Sequence, residues 1–241
     1  MTGERAVADL SRFAAIDAWV FDLDNTLYPR SANLFAQVDD RIRAFVADLL
    51  NLAPEEAQRV QKDYYRRYGT TLRGLMVEHG IAADDFLQFV HDIDHSPVTA
   101  NPQLADAIAT LPGRKFILTN GSRAHAEKVA ARLGIPDHFE EIFDIVRLEL
   151  MPKPARETYD RFIAATGIDP ERAAMFEDLS RNLEAPKSLG MATVLVVPGA
   201  AFRDVLGESW EREGDGAPYV DFVTEDLAGF LEDIITEIKR P

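Results

Sequence analysis

The chain has 241 residues, enough for one large domain or a core with an inserted smaller one, and its 46% hydrophobic and 28% charged content suits a globular protein with a sizeable core. With 41 acidic against 26 basic residues the net charge is −15, which repels polyanions and argues against DNA, RNA or an anionic membrane as the main partner, while still allowing a small anion in one locally inverted cleft. Cysteine is absent, which excludes disulfides, thiolate metal sites and cysteine nucleophiles.

The N-terminal stretch MTGERAVADLSRFAAIDAW carries acidic residues and no long apolar run, so it is not expected to be a secretion signal. No apolar run approaches the roughly 18 residues of a membrane span, and the cytoplasm is the expected compartment. The first predicted strand, AWVFDL (18–23), carries Asp22 and Asp24 two apart at its end. From 29 to 95 the pattern turns helical: Leu34, Val38, Ile42, Phe45, Val46 and Leu49 recur at helical spacing, and Pro54 stands where a helix would begin. This predicts a helical cap domain over 29–96, hinged near 28–31 and 96–101. Strand-like runs resume with KFILTN (115–120), FDIVRL (143–148), AAMFED (173–178), ATVLVVPG (192–199) and YVDFV (219–223), and the stretch 201–220 is expected to cover a sheet edge. Apolar strands alternating with helices predict an α/β core, a Rossmann-like doubly wound parallel sheet built from 1–28 and 97–241.

Ligands of such sheets bind at the carboxyl ends of the strands. Four ends supply polar residues: Asp22, Asp24, Asn25 and Thr26; then Thr119, Asn120, Gly121 and Ser122; then Lys153 in MPKPARETY; then Glu177, Asp178 and Asn182. The set contains a carboxylate nucleophile, a second carboxylate for acid–base work, a hydroxyl and amides for phosphoryl oxygens, a lysine and an acidic metal site. Oxygen ligands without histidine or cysteine suit Mg²⁺. Asn182 is expected to support the site by hydrogen bonds, and Ser122 to cap a helix.

In this order and at these spacings, DLDNTLY, LTNGS, the KP of MPKPARETY and FEDLSRN resemble the four motifs of the haloacid dehalogenase-like (HAD) phosphohydrolases. The helical insertion resembles the cap of the subfamily I members. Within it YYRRYGTTLRGL, together with the DNTLY form of the first motif, looks most like the pyrimidine 5′-nucleotidase branch; sugar-phosphate and phosphoglycolate phosphatases more often carry glycine where Asn25 stands. The resemblance implies that Asp22 attacks phosphorus, that Asp24 donates and then takes back a proton, and that Thr119, Asn120 and Gly121 bind phosphoryl oxygens. It further implies that Lys153 stabilises their charge, while Asp22, the Asp24 carbonyl, Glu177 and Asp178 hold Mg²⁺. The implied substrate is a small phosphorylated metabolite, foremost a nucleoside 5′-monophosphate. A sugar-phosphate or phosphoglycolate phosphatase, a phosphomutase, and a phosphate-binding protein without turnover stand as alternatives. Tyr64, Tyr65, Tyr68 and Arg73 fit cap packing or contact with a base, and Tyr64, Tyr68 and Arg73 are taken as substrate candidates. His91 and His95, four apart with no third zinc ligand in view, read as surface residues near the hinge.

Overall fold

The computed structural model describes residues 9–199 and 216–240. Strands β1 (Ala18–Phe21), β2 (Arg114–Leu118), β3 (Glu141–Phe143), β4 (Ala173–Glu177), β5 (Ala192–Val196) and β6 (Phe222–Thr224) form a six-stranded sheet in the order β3-β2-β1-β4-β5-β6. All neighbours run parallel. Alternation along β1 decides which side chain enters which layer. Trp19 and Phe21 pack with Ile117, Phe176 and Val194 against α5 (Pro102–Thr110), α6 (Arg123–Leu133) and α9 (Leu227–Ile238). Ala18 and Val20 pack with Phe116, Leu118 and Met175 against α7 (Arg156–Thr166) and α8 (Glu184–Ser188). Phe21 and Phe176 stack at 4.7 Å between centroids beneath the strand ends. Burying each such ring contributes roughly 1.5–3 kcal/mol, which makes the floor under the polar residues stiff.

From β1 the sheet grows outward to β3 at one edge, then from β4 to β6 at the other, so the order reverses between β1 and β4. That reversal opens the crevice where an open parallel sheet binds its ligand. Phe21 pairs in register with Ile117 and Phe176, which sets Asp22 at the level of Leu118 and Glu177.

Between β1 and α5 four helices interrupt the alternation: α1 (Leu34–Leu50), α2 (Pro54–Tyr68), α3 (Thr71–His79) and α4 (Ala83–Val90). Pro54 is the first residue of α2, and Gly69 and Gly80 close α2 and α3 at positive φ. These helices bury their own apolar cluster, with Val46, Ala57, Tyr64, Leu75, Phe86 and Val90 at its centre.

Two expected strands differ. FDIVRL is strand only up to Phe143, because Asp144 turns the chain: its carboxylate accepts from the Arg123 and Arg147 amides, and Glu149 and Leu150 adopt positive φ. Ile145 then packs among the inserted helices instead of in the sheet. The last strand begins at Phe222, three residues later than expected, and most of the presumed edge cover, 201–215, lies outside the described residues. No helix among the described residues is long and apolar enough to cross a membrane.

Candidate active site

Asp22 leaves the sheet with its amide still bonded to Phe176 O at 2.9 Å, so its carboxylate stands at a fixed height above β1 and β4. Oδ1 meets Lys153 Nζ at 2.7 Å, and Oδ2 accepts from Thr26 Oγ1 at 2.9 Å. Lys153 is 1% exposed and spends its three protons on Asp22 Oδ1, Glu177 Oε1 at 2.7 Å and Leu118 O at 2.8 Å. Its backbone is pinned by Asn120, whose Nδ2 donates to Lys153 O while Oδ1 accepts from Lys153 N. The Asn120 side chain therefore orients the lysine loop. Glu177 takes Asn182 Nδ2 at 2.7 Å on the oxygen that holds Lys153, and the Leu179 amide on the other. Thr119 Oγ1 accepts from Gly121 N at 2.9 Å. A Cβ on Gly121 would lie 3.3 Å from that hydroxyl oxygen, so the turn is built for close approach.

Burial pushes the Asp22 carboxyl up to about 7, against the pull of the Lys153 cation and with the charges of Glu177 and Asp24 adding to it. Burial, together with Glu177 and Asp22, drives Asp178 well above the ordinary carboxylate range although Arg30 Nη2 lies 2.9 Å away. Burial works against the Lys153 charge as well, yet its two carboxylate partners hold it above an ordinary lysine. The strand ends thus gather more acidic than basic groups in a nearly dry place, an imbalance that a divalent cation relieves. Asp22, Glu177 and Asp178 each offer an oxygen, all within 4.8 Å of one another. Oxygen donors alone, three of them carboxylates, fit Mg²⁺. The Asp24 carboxylate stands apart from this triplet.

Asp24 has donors of its own. Its Oδ1 accepts from Tyr28 Oη at 2.5 Å and lies 2.8 Å from His125 Nε2. Although burial opposes ionisation, these two partners hold its carboxyl down at about 2. His125 Nδ1 lies 3.1 Å from His95 Nε2, and its ring stacks on His91 at 4.6 Å. His91 comes from the end of α4, with Nδ1 at 3.0 Å from both Ser122 Oγ and Leu87 O. His91 is buried and His95 only half exposed, contrary to their reading as surface residues, because both close onto the first turn of α6. Nothing in the spacing of His125 from Asp24, 101 residues, signals their meeting, and the sequence reading missed His125; its nearness to LTNGS was the one signal that could have pointed to it. Ser122 caps α6 through His125 N, as expected.

A cleft of about 480 Å³ rises from Asp22, Asp24, Thr119, Asn120, Gly121, Lys153, Glu177 and Asp178 into the inserted helices. Its upper wall includes Phe35, Val38, Ile42, Lys62, Tyr65, Arg66 and Phe86. Tyr64, Tyr68 and Arg73 are not on that wall. Tyr64 packs in the helical cluster with its hydroxyl 2.7 Å from His79 Nε2, Tyr68 donates to Glu78, and Arg73 Nη1 reaches Leu150 O at 3.2 Å. For the two tyrosines the reason is helical phase: residues 62, 65 and 66 share one face of α2, and 64 and 68 another.

Comparison with known proteins agrees with this geometry. The haloacid dehalogenase-like hydrolase family matches residues 16–190. Phosphate metabolism protein 8 of Saccharomyces cerevisiae is 26% identical over 246 residues, covering 92% of this chain and 73% of the relative. A phosphoglycolate phosphatase of Chromobacterium violaceum is 27% identical over 209 residues, 80% of this chain and 90% of its own. Among solved structures, L-2-haloacid dehalogenase of Xanthobacter autotrophicus with chloropropionic acid covalently bound superposes with a TM-score of 0.56 at 16% identity, covering 90% of this chain and 97% of that one, a likeness of fold. With the family match spanning strands β1 to β4, the inserted helices and every strand end that carries a candidate residue, the chain belongs to the haloacid dehalogenase-like hydrolases.

Proposed function

We propose that the protein is a Mg²⁺-dependent phosphomonoesterase that works through an aspartyl-phosphate on Asp22. The observation that carries this reading is the division of labour between the two carboxylates of the first motif: Asp22 is paired with buried Lys153, while Asp24 is held by Tyr28 and His125 outside the acidic triplet. Asp22 attacks phosphorus as the bond to the leaving oxygen breaks, and Asp24 gives that oxygen a proton. Water then attacks the phosphoryl group, Asp24 takes its proton, and Asp22 is released. Thr119 and the Asn120 amide receive the phosphoryl oxygens, the Gly121 amide joins them by giving up its bond to Thr119 Oγ1, and the Lys153 cation, held by Asp22 and Glu177, stabilises their charge. Mg²⁺, held by Asp22, the Asp24 carbonyl and Asp178 with Glu177 beside them, would neutralise the charge between carboxylate and phosphate. An acid–base carboxylate is a group that displacement of halide by a carboxylate does not call upon, which favours a phosphatase over a dehalogenase. The phosphatase name of the Chromobacterium violaceum relative points the same way.

For the substrate, we favour a nucleoside 5′-monophosphate. A cleft of about 480 Å³ with Tyr65 and Phe35 on its wall suits a leaving group larger than glycolate. The four inserted helices then act as the cap, over 29–96, that selects it. Phosphate release from a panel of pyrimidine and purine 5′-monophosphates, sugar phosphates and phosphoglycolate, with and without Mg²⁺, tests both parts. The expected result is Mg²⁺-dependent release, abolished in Asp22→Asn, with kcat/KM highest for UMP and CMP. A preference for phosphoglycolate or a sugar phosphate overturns the nucleotide assignment alone; silence toward every ester overturns the phosphatase.

A further inference from the structure

Oδ1 of Asp24 carries both hydrogen bonds of that carboxylate, from Tyr28 and from His125, and Oδ2 has none among the described residues. The histidine chain behind it has a fixed direction. Ile93 O, 3.1 Å from His95 Nδ1, can only accept, so that nitrogen carries the hydrogen. His95 Nε2 is then an acceptor, and it receives Nδ1–H of His125. This orients the His125 ring so that Nε2 meets Asp24 Oδ1, one proton bridging the two. A further contact fixes the ring: His91 stacks on its face at an interplanar angle of 20°. The ring is buried on the first turn of α6, and the chain behind it ends in the segment joining the inserted helices to the sheet.

We propose that His125, backed by His95, is the positioning residue of the acid–base step, holding Oδ1 of Asp24 with Tyr28 so that Oδ2 is the oxygen that exchanges a proton with the leaving group and then with water. The proposal rests on the phosphatase reading. Asp24 is ionised in the free site, so in the first step its Oδ2 takes up the proton that the phosphate monoester brings as its monoanion; the P–O bond to the leaving alcohol then breaks, Asp22 takes the phosphoryl group and that proton moves from Oδ2 to the departing oxygen. In the second, water attacks phosphorus and returns a proton to Oδ2 as Asp22 departs. A carboxylate free to rotate would still carry its proton but would present it less often in line with the departing oxygen.

A loss of positioning has a signature that general loosening lacks: it depends on how badly the leaving group needs a proton. Para-nitrophenolate leaves readily without one, and an alkoxide does not. Single-turnover phosphorylation of Asp22 should therefore be compared for para-nitrophenyl phosphate and for an alkyl phosphate monoester, with Mg²⁺, in the wild type, His125→Met and His125→Gln. In His125→Met the alkyl ester should slow by about 10–100-fold and the aryl ester by less than about 3-fold, part of the general-acid effect being lost. His125→Gln, which keeps an amide donor near Oδ1, should recover most of the alkyl rate. Equal losses on both esters, or no recovery with Gln, overturn the positioning role. Should His125→Met fail to fold, His95→Leu carries the same test at smaller amplitude, about 3-fold on the alkyl ester alone, and absence of that split overturns the proposal too. A wild type silent toward both esters brings down the phosphatase reading and this proposal with it, whereas a working wild type with an unselective variant loss brings down the positioning role alone.

Discussion

Asn25, the residue after Asp24, has φ +62°, a backbone region that L side chains other than Asn and Asp seldom occupy. Asparagine thus has a conformational reason here: like glycine, it tolerates the left-handed turn that swings Thr26 back to Asp22 Oδ2. Asn25→Gly is expected to keep stability within about 0.5 kcal/mol, and Asn25→Val to lose about 1–2 kcal/mol, in urea unfolding. Because Asn25 also lines the cleft, the ratio of kcat/KM between a nucleotide and a sugar phosphate should be read in Asn25→Gly. An unchanged ratio assigns the asparagine to the turn, and a shifted one assigns it to the substrate. Asp22, Asp24, Thr119, Asn120, Glu177 and Asp178 were legible because each follows an apolar run and parallel register does the rest, whereas Lys153, ten residues beyond the end of β3, was legible only from the order of the motifs. His91, His95 and His125 were not, since their meeting depends on how the inserted helices close onto α6 across separations of 30 residues and more.

At the scale of elements, the inserted helices were legible from their apolar spacing, but which face of α2 meets the cleft was not. One residue is a turn of about 100°, which takes Tyr64 into the cluster and leaves Tyr65 on the wall. The packing of α3 on α2 explains why that choice is firm. Gly74 faces Tyr64 so closely that a Cβ would fall 2.5 Å from its Cβ and Cγ, atoms near the backbone that cannot swing aside. Gly74→Ala sets two effects against each other. Alanine favours the helix by roughly 0.5–1 kcal/mol, whereas overpacking of this kind costs about 1–3 kcal/mol and adds helix displacement. The clash wins: thermal unfolding should move to lower temperature, and kcat/KM should fall with it as the cleft wall shifts. A variant more stable than wild type would mean that α3 is free to slide on α2. The shortened β3 is the other lesson at this scale, since FDIVRL has strand composition throughout and only the two amide contacts of Asp144 end it.

For the molecule as a whole, the junction between inserted helices and sheet is lined with titratable groups, and its stability should depend on pH with a sign that can be worked out. Burial, reinforced by the His125 cation, holds His91 down at about 4 from an ordinary value of 6.5, against the opposing charge of Asp24. Burial, with His125 adding to it, lowers His95 as well. A histidine whose folded value is depressed binds its proton more readily when the chain unfolds, so its share of stability is intact above 6.5 and is lost as pH falls toward 4. For His91 that share amounts to about 2 kcal/mol between pH 7 and 4.5. Asp22 works in the opposite sense over the same window: its carboxyl, raised to about 7, makes the folded state lose stability as pH rises from the ordinary carboxylate value. Asp24, held at about 2, contributes only below that window, where stability is lost as pH falls through its folded value. The wild-type curve alone therefore mixes two opposed slopes, and the informative quantity is a difference. Thermal unfolding of wild type and His91→Gln should be followed from pH 7.5 to 4.5, and the gap between them should change by about 4–8 °C toward acid pH in favour of the variant. Parallel curves would mean that His91 stays solvated and that the inserted helices do not close on α6 as tightly as the 4.6 Å ring stack requires.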